Sequence, residues 1–373
     1  MDTMSHVVIG AGLAGASTAW HLARRGRDVI VLERDRPASR AGSSHGSARI
    51  FRYAYADALY TELVQRSARW WEELTAVSGR DLMVCTGGLD HGTVTPPRDL
   101  ARILAGRGVP HELLAADEAA GRWPQLRFDT DVLYQPDAAV LDAEATVQTM
   151  LAAATGLGAE VRTGSAVTAV ERDAGAYAVR SADGYEVRAE HVIVAAGGWL
   201  PDLLAHLPLT GAFREALPAF EVTQEQAFHF PVHDDFPLST WPTVIHEIPT
   251  WRAYALPGGR DAQFRGMKIA EFHAGKRLPS AAHQDQVVAD EARYRMIEKV
   301  HEFYPGLRPE PYAETTCLFT MTPTEDFVID TCDGITIVSA CSGHGAKFAP
   351  LLGKLVTDHL FDDAVLPQQF LVR

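Results

Sequence analysis

Residues 7–35 read VVIGAGLAGASTAWHLARRGRDVIVLERD. Val7, Val8 and Ile9 form a short apolar run of the kind that fills a buried parallel strand. Gly10-Ala11-Gly12-Leu13-Ala14-Gly15 follows at once, then a helical pattern over Ala16–Arg25 closed by Gly26. Val29–Leu32 makes a second strand that ends on Glu33. This is the order of parts in a dinucleotide site. Gly10 permits the tight turn, Gly12 lets a pyrophosphate approach the backbone, and Gly15 lets the helix pack closely on the strand. The helix N-terminus offers unpaired N–H groups and the positive end of its dipole to phosphates. Glu33 is placed to accept hydrogen bonds from ribose hydroxyls. A glycine fingerprint alone is weak, but here strand, helix, second strand and acid all fall at the right spacing. The stretch does not separate FAD from NAD.

Outward from it, residues 41–55, AGSSHGSARIFRYAY, read as a loop that carries His45, Arg49 and Arg52. Taken alone, a solvated basic loop explains it equally well. Tyr60–Leu74 has a helical pattern, and Trp70 and Trp71 near its end suit a core better than a ligand platform. Gly87-Gly88-Leu89-Asp90 reads as a turn where the chain leaves the nucleotide domain. Short helices are expected over Asp99–Gly106 and Ala115–Gly121, and a longer one over Asp142–Leu157 with Asp142 as its N-cap. Ala159–Arg188 alternates like strands around an Asp183-Gly184 turn. His191–Ala196 is a further buried strand, and Gly197-Gly198 after it lets the chain pass close to a cofactor. Phe213–His273, punctuated by prolines from Pro218 to Pro257, reads as an antiparallel sheet. A helix over Ala289–Phe303, a strand over Ile335–Ala340, a turn over Ser342–Gly345 and a helix over Ala349–Leu360 complete the chain.

With 373 residues, 47% hydrophobic and 22% charged, the chain has the length and composition of a soluble globular protein with one large or two smaller domains. Its formal net charge of −14 argues against nucleic acid, since a phosphate-binding surface needs a basic excess. No apolar run approaches the roughly 20 residues of a membrane span. The first strand begins by Val7, so no signal or transit peptide is expected. Cys85, Cys317, Cys332 and Cys341 show no zinc-type pairing, and neither a metal nor a disulfide is expected. A reducing cytoplasm is the simplest compartment for them. Lysine is scarce: Lys268, Lys276, Lys299, Lys347 and Lys354 are the only ones.

Four stretches together resemble the monomeric sarcosine oxidase and N-methyltryptophan oxidase family of amine-oxidising flavoenzymes, and the likeness runs from end to end. They are the Gly10–Gly15 fingerprint, Ser44-His45-Gly46 through Arg52, Cys317 within ETTCLFTMTPTEDFVID (314–330), and SGHGAK (342–347). The last two are the specific ones.

The resemblance implies an α/β (α+β) architecture. A Rossmann-like FAD-binding domain, 1–86, 142–212 and 318–373, is joined to an antiparallel-sheet substrate domain, 87–141 and 213–317, both discontinuous in sequence. It implies FAD, held covalently through Cys317, with Gly10, Gly12, Gly15, Glu33, Ser44, His45, Arg49, Val167, Gly197, Gly343, Gly345 and Lys347 around it. Alone, a single cysteine reads as an inert buried thiol; the flanking match reverses that. Arg52 and Lys347 are implied to grip a substrate carboxylate, so that the amino acid presents its C–H to the flavin. Lys268 is implied to stabilise the charge that develops on oxygen. His45 and Arg49 are implied to compensate the reduced ring.

Three positions depart from the family. Phe319 stands where a tyrosine is common, Phe272 stands where a histidine is expected with His273 one residue later, and Tyr254 is a loose match to an aromatic near the substrate. The expectation is therefore an FAD-dependent oxidase of a secondary, N-methyl or cyclic α-amino acid. It uses O2, gives hydrogen peroxide and is monomeric by family. A same-fold dehydrogenase with a protein electron acceptor and a flavin-binding protein without turnover are the alternatives. An NAD-dependent dehydrogenase would leave Cys317 unexplained.

Overall fold

The computed structural model describes residues 2–362 and 364–373. The opening strand, Asp2–Ile9, lies between two parallel partners, Val29–Leu32 and Glu186–Val194. Val7 is in register with Ile30 on one side and Val192 on the other. Ile335–Ser339 adds a further parallel strand to the late half of Glu186–Val194, and Glu160–Arg162 extends the other edge. The early half of Glu186–Val194 instead pairs antiparallel with Ala176–Ser181, which leads out to Val167–Asp173. Val328–Cys332 completes the sheet of eight.

Four helices cover one face of this sheet: Leu13–Arg24, Ala58–Ser78, Ala143–Gly156 and Ala349–Phe361. The burial is of Val8, Val31, Trp20, Met150, Ile193 and Leu352 and their neighbours, so both faces of the central strands are apolar, as a parallel sheet requires. Asp142 caps its helix by accepting the Ala145 N–H at 2.9 Å. The first and last helices cross at Gly353, where a Cβ would stand 2.1 Å from the Ser17 carbonyl oxygen.

The second sheet has nine strands. Its order is Lys276–Leu278, Glu221–Pro231, Gly266–Glu271, Trp251–Pro257, Thr243–Ile248, Gly88–Gly92, Val132–Gln135 and Glu112–Leu114. Ala313–Met321 runs antiparallel along Glu221–Pro231 for its whole length. Every pairing is antiparallel except that of Thr243–Ile248 with Gly88–Gly92. Helix Asp290–Phe303 packs on it through Met296 and Val300.

Two local expectations are corrected. Gly87-Gly88-Leu89-Asp90 is not a turn beyond Gly87: Gly88–Gly92 is a fully buried strand. Its glycines serve close packing, since a Cβ on Gly88 would lie 2.6 Å from Ala138 Cβ and 2.8 Å from Thr243 Oγ1. Residues 41–55 are not loop throughout, because Arg49–Phe51 pairs with Ala139–Leu141 in a sheet of three. Trp71 is buried and Trp70 packs against the same core, as the helical pattern suggested. Among the described residues no helix is long and apolar enough to cross a membrane, and no group of three His, Cys, Asp or Glu could hold a metal ion.

Candidate functional site

One continuous cavity of about 910 Å³ runs between the two large sheets, near the upper end of the ~300–1,000 Å³ usual for small-molecule sites. One end is built by the opening strand–helix corner. Gly10 has φ +100°, and a Cβ there would meet the Ala195 carbonyl oxygen at 2.5 Å. A Cβ on Gly15 would fall 1.9 Å from the Gly10 oxygen, so the helix sits as close to the strand as bare backbone allows. Gly12 opens onto the cavity, and Ser44 Oγ reaches across from the next loop to accept the Leu13 N–H at 3.0 Å. Glu33 is buried, with its carboxylate accepting the Ala11 N–H at 2.7 Å and the Asp35 N–H at 3.0 Å. Val167 and Gly197 close this end, where the Arg34 guanidinium lies 4.5 Å from the Trp199 ring centre.

The middle is walled by the loop after residue 42. Arg49 ties it together, donating to the carbonyls of Ser43 at 3.0 Å, His45 at 2.7 Å and Ala48 at 2.9 Å. Cys317, on Ala313–Met321, faces the cavity with its thiol pushed up by burial and pulled back by the charges of Arg49 and Lys268. Gly343, at φ +72°, accepts the Phe319 ring, which a Cβ would meet at 2.8 Å. Gly345 lies so close to the Ala340 carbonyl oxygen that a Cβ would stand 1.7 Å from it.

Three expected residues stand behind this wall rather than in it: Gly15, His45 and Lys268. His45 is buried with Nε2 unpartnered, and burial with the Arg49 and Lys268 charges lowers it to about 3. Lys268 is 4% exposed. Burial first, then Arg49, lowers it to about 8, against the pull of Cys317 and Asp261.

The far end is polar and held by long-range partners. Arg52 Nη1 donates to Asp90 Oδ1 at 2.8 Å and to the Ala54 carbonyl. Gln135 Nε2 donates to Asp90 Oδ2 at 2.6 Å. Lys347 Nζ donates to Tyr55 Oη at 2.8 Å and the His344 carbonyl at 3.0 Å. Burial and the adjacent Arg52 charge hold it well below the ordinary lysine value. Its own carbonyl accepts from Ser67 at 2.7 Å and Trp71 Nε1 at 2.9 Å, which fixes the turn that carries it. His273 pairs with Glu325 at 3.3 Å across the cavity wall, and that carboxylate raises its pKa. Tyr254 and Phe272 lie with ring centres 5.0 Å apart, and Arg252 pairs with Glu247 at 2.7 Å.

Of the scarce lysines, Lys276, Lys299 and Lys354 make ion pairs with Asp285, Glu302 and Asp358. Lys268 and Lys347 are the two that are buried. Sequence reading missed Tyr55, Asp90, Gln135, Glu247, Arg252 and Glu325. Tyr55 and Glu325 lay inside stretches already singled out; Asp90 has its partners Arg52 and Gln135 far along the chain, and Glu247 and Arg252 meet across adjacent strands whose register the sequence does not give.

These residues fit an FAD group. At the corner Gly10, Gly12 and Gly15 leave the backbone bare, with the Ser44 hydroxyl reaching across it, Glu33 is an acceptor pair beside it, and the Cys317 thiol and Arg49 line the continuation.

A family model described as DAO, FAD dependent oxidoreductase, matches residues 5–359. N-methyl-L-tryptophan oxidases of Yersinia pestis (strain Pestoides F) and Yersinia pseudotuberculosis serotype O:1b are 29% identical over 364 residues, covering 94% of this chain and 92% of theirs. Among solved structures, NikD, an unusual amino acid oxidase essential for nikkomycin biosynthesis, matches in its open form with TM-score 0.86 at 24% identity, covering 100% of this chain and 98% of that one. Glycine oxidase from Geobacillus kaustophilus matches with TM-score 0.79 at 20% identity, covering 100% and 99%. These structural likenesses show the fold.

Proposed function

The chain belongs to the DAO family of FAD-dependent oxidoreductases, and from that premise we propose that it oxidises an N-substituted α-amino acid, N-methyl or cyclic, to an imine with release of hydrogen peroxide. The observation that carries this reading is the continuous cavity that has Gly12 and Glu33 at one end and Arg52 and Lys347 at the other. Bound FAD would supply the redox chemistry: a hydride equivalent would leave the substrate carbon and the amine N–H would lose its proton, giving the imine, with the two electrons and two protons accounted for in the hydrogen peroxide formed from O2.

The chain's own residues position and balance charge. Glu33, Ser44 and the bare backbone of Gly10 and Gly12 hold the nucleotide half, and Val167, Gly197, Gly343 and Gly345 give it close backbone. Cys317 is the covalent attachment point; burial raises its thiol overall, and Arg49 and Lys268 pull the other way, toward the thiolate that attachment needs. Arg52 and Lys347 bind the substrate carboxylate, and Tyr254 and Phe319 pack on the remainder. Lys268 supplies positive charge on the oxygen side, while Arg49 and His45 support the ring. His273 belongs to the wall through its pair with Glu325. In this reading 1–86, 142–212 and 318–373 serve the cofactor, and 87–141 and 213–317 serve the substrate. The four unpaired cysteines suit a reducing cytoplasm, and the working unit is taken as a monomer.

A panel of N-methyl and cyclic amino acids, assayed for peroxide with the FAD-loaded protein, tests the reading. At least one carboxylated amine is expected to give peroxide in equal amount to amine consumed. Loss of a charged hydrogen bond of ~1.5–3 kcal/mol should make Arg52→Ala raise KM for that amine about 10- to 100-fold. Unchanged turnover in this variant would sink the carboxylate assignment. Denaturation in acid should leave the flavin on the protein, and Cys317→Ser should release it.

A further inference from the structure

Asp90 is 3% exposed and sits on the buried strand Gly88–Gly92, where it lines the substrate end of the cavity. Both of its oxygens are engaged, one by Arg52 and one by Gln135. Gln135 in turn accepts the N–H groups of Tyr53 at 2.8 Å and Ala54 at 2.9 Å, so the acid and the amide clamp the backbone just after Arg52. Arg52 spends only Nη1 on this arrangement. Among the described residues its Nε and Nη2 bond to no protein group, which leaves a planar pair of donors for an incoming carboxylate.

Holding a guanidinium in place needs only a hydrogen-bond acceptor. A carboxylate brings a full negative charge as well, directly against one of the two cations assigned to the substrate. The rest of the chamber also sets acids against cations. Arg52, Lys347 and Arg252 line it together with Asp90, Glu247, Glu325 and the exposed Asp57, three cations against four acids, and His273 and His344 are the imidazoles beside them. Such a chamber has no surplus of positive charge for a second carboxylate.

We propose that Asp90 sets the charge specificity of the site, admitting amino acids with a single carboxylate and excluding those that carry a second. This rests on the carboxylate-binding role given above to Arg52 and Lys347. The groups facing Asp90 are Arg52, Gln135 from Val132–Gln135, Glu247 from Thr243–Ile248 and Lys347 from the C-terminal turn. Burial holds its carboxyl up at about 6, so the filter weakens as pH falls through that value.

The test is an anaerobic titration of the FAD-loaded protein, followed by flavin absorbance, with N-methylglycine and N-(carboxymethyl)glycine. These secondary amino acids differ by one carboxylate and stay ionised across the range, and binding is read whether or not they are turned over. Wild type should bind N-methylglycine the more tightly. Asp90→Asn, which keeps an acceptor for Arg52, should shrink the ratio of the two Kd values by about 10-fold or more, by strengthening the dicarboxylate. Asp90→Glu should restore the ratio. In wild type the ratio should fall below pH ~6 more steeply than in Asp90→Asn, where His273 still titrates.

An Asp90→Asn variant that shifts both Kd values by the same factor would overturn the proposal and leave Asp90 a structural support. Equal binding of the two ligands by wild type would overturn it too. If neither ligand perturbs the flavin of wild type, the carboxylate-binding reading itself falls, and the Asp90 filter with it.

Discussion

Lys268 lies 4% exposed on Gly266–Glu271, within electrostatic reach of Arg49, Asp261 and Cys317. Its pKa of about 8 lies below that of a free lysine, because burial and Arg49 penalise its charge. The ammonium is therefore present below pH ~8 and lost above it. If it serves the oxygen side, reoxidation of the reduced enzyme should slow as pH rises through 8. Lys268→Met should slow that step by about 10²–10³-fold while anaerobic reduction stays within a few-fold of wild type. Stopped-flow measurement of the two half-reactions separates these outcomes. That Arg52, Lys347 and Cys317 belong to one cavity was legible because each sits in a distinctive local run. Asp90 was not. It lay in a Gly-Gly-Leu-Asp stretch, where an acid reads as a turn former, and its partner Arg52 is 38 residues away. Spacing cannot reveal a pair that only the folded sheet brings together.

At the scale of elements, local chemistry was the better guide. Asp142 was readable as an N-cap because a capping acid acts within three residues of itself, and it does so at Ala145. Asp142→Ala should destabilise the protein by about 1 kcal/mol, visible as a lowered midpoint in urea, with flavin binding retained. Gly88 taught the opposite lesson. Glycine is needed there for the approach of Ala138 and Thr243, not for a turn. Gly88→Ala should therefore destabilise by about 1–3 kcal/mol through overpacking, although alanine is the better strand residue in isolation. A gain in stability would show that the strand can shift to take the methyl group. The strand's parallel partner, Thr243–Ile248, lies more than 150 residues on, which no reading of the local pattern supplies.

The molecule is built on two large sheets that meet along one cavity, each with its own apolar packing. The cores enclose histidines as well as aliphatic residues. His6 and His246 are lowered to about 4 and His21 to about 3, in each case chiefly by burial. Their folded values lie below the unfolded ~6.5, so between those values the unfolded chain binds more protons. Stability from these residues is complete above pH ~6.5 and falls as pH drops toward 4, by up to about 1.4 kcal/mol per pH unit for each. Urea unfolding at pH 7 and pH 5 should show a loss of several kcal/mol, and His6→Phe should reduce it. The parallel sheet was legible in the sequence because fully apolar runs next to glycines announce it. The second sheet was legible only as a region, since alternation gives strands but not their order. The central claim concerns the cavity these sheets enclose, and anaerobic mixing of the FAD-loaded protein with N-methyl and cyclic amino acids, each beside its decarboxylated amine, tests it most directly. The account predicts that at least one amino acid bleaches the flavin and that its decarboxylated partner does so at least about 10-fold less effectively. Bleaching by neither, or equally by both, would contradict it.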